Sequence, residues 1–64
     1  MQFRVQFLDG NARVILDMIA DAPNAAGAIA LVADLEWPPL AVTMRVLDLD
    51  GREVHSAIKG DAGG

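Results

Sequence analysis

The sequence predicts an α+β domain of order ββαββ, with one four-stranded sheet packed on one helix. Three observations carry this. Residues 2–7 alternate polar and apolar, and the alternation resumes over 12–21 after an Asp-Gly-Asn turn signal. Residues 25–35 then place apolar side chains at helical spacing. A second alternating pair, 42–47 and 53–58, flanks Asp48-Leu49-Asp50-Gly51-Arg52. A single domain over residues 1–59 is expected, followed by a flexible tail at 60–64. No repeat, linker or low-complexity run is read.

In the first hairpin Phe3, Val5 and Phe7 share one face, with Gln2, Arg4 and Gln6 on the other. A turn centred on Gly10-Asn11 pairs Phe7 with Val14, Val5 with Leu16 and Phe3 with Met18. It sets Arg4 opposite Asp17 on the outer face, a favourable cross-strand pair; a turn at Asp9-Gly10 keeps the same faces inward but loses that pairing. Asp21-Ala22-Pro23 is expected to open the helix, since Asp caps and Pro is tolerated in a first turn. Ala25, Ala28, Ile29, Val32 and Leu35 form its buried stripe. Pro38-Pro39 stops it near Glu36 or Trp37. In the second hairpin a type I turn with Gly51 in a left-handed bulge position pairs Val46 with Val54, Met44 with Ser56 and Val42 with Ile58, all inward. Leu47 then faces Glu53, and Arg45 faces His55, outward. The expected core is Phe3, Val5, Phe7, Val14, Leu16, Met18, Ile29, Val32, Leu35, Val42, Met44, Val46, Val54 and Ile58.

Composition excludes several functions. The chain has 64 residues, no cysteine and one histidine, so neither a disulfide framework nor a thiolate or multi-histidine zinc site is available. A chain of this size buries only about 60% of the surface it exposes unfolded, and its stability margin is thin. Packing and self-association are the remaining sources of stability. With a net charge of −4 the chain repels phosphate backbones, so no nucleic-acid partner is expected. No apolar run is long enough to cross a membrane. The alternating start does not read as a secretory leader, so a cytoplasmic location is expected. No cofactor, metal or small-molecule partner is expected.

The chemistry-bearing residues are few. His55 has no nucleophile beside it in the expected register, and Ser56 is expected to point inward opposite Met44, so no catalytic residue is assigned. Asp48-Leu49-Asp50-Gly51-Arg52-Glu53 has the glycine of a calcium loop, but the first ligand position falls on Val46, so the segment reads as a turn. Trp37 reads as a lid over one end of the core. Two surfaces are candidate interfaces. One is the helix face carrying Ala26, Gly27, Ala30 and Ala33. The other is the open sheet face carrying Leu8, Ile15, Ile19 and Leu47 among Arg4, Arg13, Arg45 and Lys59. The reading is a small non-enzymatic protein-interaction module, a homodimer by expectation or a docking site for another protein.

A hairpin, a crossing helix and a second hairpin resemble the β-grasp layout in its minimal, immunoglobulin-binding form. That resemblance implies parallel terminal strands at the sheet centre and a strand order 2-1-4-3, although a sheet in another order, or a dimer sharing a sheet, fits the same pattern. With Gly63 and Gly64 at the end, the layout is also similar to the ubiquitin-like sulfur carriers, which implies activation of the Gly64 carboxylate by a partner enzyme. The extra segment those carriers hold before their final strand is missing here. The layout with Val46-x-Asp48-x-Asp50-Gly51-Arg52-x-Val54 is further similar to several sets of short bacterial proteins, which implies no activity.

Overall fold

A computed structural model describes residues 1–59. The strands are β1 (Gln2–Leu8), β2 (Val14–Asp21), β3 (Thr43–Leu47) and β4 (Glu53–Ile58), with helix α1 (Ala25–Ala33) between the hairpins. The element order and the α+β class are as the sequence predicts. The strand order is not: the sheet runs β2-β1-β3-β4 and is antiparallel throughout. β1 pairs with β3, not with β4, so the final strand lies at an edge. Burial follows from this. In β3 Met44 and Val46 are buried, whereas no residue of β4 is, because a central strand is covered by neighbours on both sides.

The two hairpins are the same structure built twice, although the sequence reads as free of repeats. In each, an aspartate carboxylate closes a five-residue loop. Asp9 Oδ1 accepts from the backbone N–H of Asn11 and Arg13 at 2.8 and 3.0 Å. Asp48 Oδ1 accepts from Asp50 and Arg52, each at 2.9 Å. The fourth loop residue is left-handed in both, Ala12 at φ 62° and Gly51 at φ 83°. Each loop is followed by a one-residue bulge. Leu8 pairs Val14 and Phe7 pairs Leu16, leaving Ile15 extra; Leu47 pairs Glu53 and Val46 pairs His55, leaving Val54 extra. Equivalent positions lie 39 residues apart, and the pair Gln6–Arg45, itself separated by 39, marks the pseudo-two-fold axis between β1 and β3.

The bulges correct both expected registers. In the first hairpin the pairing slides by two residues, so Phe7 meets Leu16 and not Val14, Val5 meets Met18, and Phe3 meets Ala20. In the second hairpin Leu47 does face Glu53 and Gly51 is left-handed, as expected. Beyond Val54 the alternation inverts. His55 and Ala57 pair with the buried Val46 and Met44, while Ser56 and Ile58 turn outward. A single inserted residue exchanges the two faces of a strand.

The core consists of Phe3, Val5 and Phe7 of β1, Met44 and Val46 of β3, Ala28 and Val32 of α1, and the flanking Ala22 and Ala41. Met18, Leu35, Trp37 and Val54 pack on its margin. Four residues expected inside, Val14, Leu16, Val42 and Ile58, are exposed, and Ile29 is half-buried. The helix is also shorter than expected. β2 extends through Asp21, and Asn24 is the N-cap, its side chain accepting from Gly27 N–H at 2.8 Å. α1 lies over β1 and β2, so the inner face of β3 and β4 is only partly covered.

Candidate interaction surface

The outer face of the sheet has no helix and is organised by a polar chain through Gln6. Arg45 Nε donates to Gln6 Oε1 at 2.7 Å, and Gln6 Nε2 donates to Asp17 Oδ2 at 3.5 Å. Asp17 Oδ1 lies 3.4 Å from Arg4 Nε. Arg4 is directly opposite Ile19, not Asp17, so the expected ion pair forms along a diagonal. Gln6 is buried, and both ends of its amide are satisfied within the sheet, which fits the cost of burying a polar group without partners. Ile19 and Leu47 flank this chain and, with Arg4 and Leu49, line a cavity of about 180 Å³.

Among the residues expected at an interface, Ile15 and Ile19 are exposed, Leu47 is half-buried, and Ala26 and Ala30 are exposed on the helix. Leu8 is only 7% exposed and does not belong to a free surface. It lies at the end of β1, where β2 and β3 both flank it.

The sequence allows a dimer sharing a sheet but does not show which strand is the edge. β2 is an edge strand of eight residues, none of them buried. Val14, Ile15, Leu16 and Ile19 make it the strand richest in exposed large apolar side chains. Its two carboxylates are paired within the chain, Asp17 with Arg4 and Asp21 with the Met1 amine. The opposite edge, β4, has six residues and carries one exposed large apolar side chain, Ile58; both edges carry charges, Arg13, Asp17 and Asp21 at β2 and Arg52, Glu53 and Lys59 at β4. A signal was available in the sequence: Leu8-Asp9 with Arg13, and Leu47-Asp48 with Arg52, mark equivalent hairpins. That alignment makes β2 and β4 the second strands of two like hairpins.

On the inner face, Ile29, Val32, Ala33 and Trp37 border a groove of about 450 Å³ floored by Met44, His55 and Ala57. Trp37 stacks edge-on against Phe7, with ring centroids 5.3 Å apart at 70°, which places it over the end of the core. His55, expected outward opposite Arg45, lies in this groove opposite Val46. Ser56 is on the other face of β4. Among the described residues, no cluster of three His, Asp or Glu side chains able to hold a metal exists, and no helix is long and apolar enough to cross a membrane. Gly63 and Gly64 lie outside the described residues.

Against known proteins, no family model, no curated protein and no solved structure matches the chain.

Proposed function

We propose that this chain is a small, non-enzymatic, cytoplasmic interaction module that associates with a second copy of itself through the β2 edge and the apolar rim beside it. The observation that carries this reading is the contrast between the edges: β2 has eight residues and four exposed large apolar side chains, with Asp17 and Asp21 paired within the chain, whereas β4 has six residues and one exposed large apolar side chain, Ile58. Unpaired backbone groups along an apolar edge favour strand addition. Size supports the same conclusion. A strand of eight residues is about 27 Å long, and the molecule is 16 Å across its thinnest direction. The flat area offered is therefore about 430 Å² per copy, and roughness brings the total to the ~1,000 Å² scale of a specific interface.

A non-enzymatic role is supported by the separation of His55 from Ser56 across the sheet. The carrier reading at Gly63-Gly64 has less support, since the last strand is at an edge and not at the centre, where the resemblance needed it.

The test compares the unmodified chain with Ile15→Glu/Ile19→Lys. Both isoleucines are exposed, so the double variant should fold. It should sediment as a monomer with a concentration-independent melting temperature, while the melting temperature of the parent rises with concentration. Identical behaviour of the two proteins removes the β2 edge from the reading.

A further inference from the structure

We infer that the second copy docks antiparallel on β2 with Met18 at the two-fold axis, joining two four-stranded sheets into one of eight strands with the two α1 helices side by side. This rests on the self-association proposed above and specifies its geometry.

The backbone selects the groups available. Ala22 N–H donates to Met1 C=O, and ladder bonds alternate along an antiparallel pair. Ala20, Met18 and Leu16 therefore spend their backbone groups on β1, while Asp17, Ile19 and Asp21 aim theirs at the free edge. A two-fold axis perpendicular to the sheet keeps each face on its own side, so residues opposite each other share parity. Centring on Asp17 sets two like charges directly opposite, and centring on Ile19 sets Asp17 opposite Asp21 twice, both unfavourable. Centring on Leu16 runs the pairing into the bulge at Ile15 and loses the end of the strand. Centring on Met18 pairs Asp17 with Ile19 in hydrogen-bonded positions, sets Leu16 opposite Ala20 under the helices, and uses the whole regular part of β2.

The helices fit this arrangement. Strands are spaced about 4.8 Å apart, so the axis lies about 2.4 Å beyond β2 and a helix lying over β1 and β2 is about 5 Å from it. Two such helices would be about 10 Å apart, the upper end of the 8–10 Å of packed helices. The flank of α1 opposite Ile29 and Ala33 carries Gly27 and Leu31, and Leu31 is 49% exposed. It is thus the helix residue placed to meet its mate, and Ala26 and Ala30 stay on the outer side.

The chain has no cysteine, so a single introduced thiol reports one position. Opposed non-hydrogen-bonded residues have Cα atoms about 4.5 Å apart, within disulfide reach, while positions displaced by two residues are about 7–8 Å apart. Met18→Cys should form a disulfide dimer under mild oxidation at least tenfold faster than Ile19→Cys. In the unmodified chain, amide exchange at Asp17 and Ile19 should slow by tenfold or more as concentration rises, with Ser56 and Ile58 of β4 unchanged. A parent that sediments as a dimer, yet shows neither preferential Met18→Cys cross-linking nor protection of Asp17 and Ile19, overturns this geometry and leaves self-association standing. A monomeric parent overturns both.

Discussion

Ala12 and Gly51 occupy the same position in two copies of one loop, at φ 62° and φ 83°. Only glycine is unstrained there. A Cβ at Gly51 would meet no atom within 4 Å, so the difference between the residues is one of backbone conformation and not of space.

Ala12→Gly is therefore expected to stabilise the protein, by about 0.5–1 kcal/mol. For a domain of this size that is a rise of several degrees in melting temperature. Gly51→Ala should lower stability by about 1 kcal/mol. Chemical and thermal melts of the two variants give the signs directly, and a destabilised Ala12→Gly would show that the first loop does not hold this geometry.

Asp9→Ala and Asp48→Ala should each cost about 1 kcal/mol, and by similar amounts. Each carboxylate accepts two backbone N–H bonds, and each net hydrogen bond is worth about 0.5–1.5 kcal/mol, less where water replaces it. A large difference between the two denaturation midpoints would argue against equivalent hairpins.

The second bulge is tested through the two faces of β4 and its neighbour. Val46→Ala should cost about 2 kcal/mol and Phe7→Ala about 3–5 kcal/mol, since both side chains are fully buried. Ile58→Ala should change stability by less than about 0.5 kcal/mol in the monomer, because Ile58 is 57% exposed. Uninterrupted alternation would bury Ile58 and give a loss of about 2–5 kcal/mol.

Helix entry separates two caps. Asn24→Ala removes the acceptor for Gly27 N–H and should cost about 1 kcal/mol. A loss at Asp21→Ala as large as that at Asn24→Ala would restore the earlier start expected from the sequence.

The sequence shows its elements more clearly than their arrangement. Alternation at Phe3, Val5 and Phe7, the helical spacing of Ala28 and Val32, and the turn at Gly51 are local signals, and the structure keeps them. The inserted residues Ile15 and Val54 are apolar and β-branched, as ordinary strand residues are, so nothing local distinguishes a bulge from continued alternation. The face of every residue beyond them in the second hairpin was consequently misread, His55 and Ile58 above all. Strand order was illegible for another reason: pairing β1 with β3 or with β4 leaves the inward face of β1 unchanged. What distinguishes them is which hairpin strand is covered on both sides, and the burial of Met44 and Val46 shows that only in the folded molecule. The candidate surface was legible as residues, Ile15 and Ile19, but not as an edge, since an edge exists only once strand order is known.

If the exposed β2 edge joins two copies of this chain, sedimentation equilibrium of the unmodified protein from low to high micromolar concentration should show it. The mass should climb from that of one 6.8 kDa chain to that of two and then stop, because pairing β2 with itself closes the contact. A mass that stays at one chain across the whole range rules the β2 dimer out.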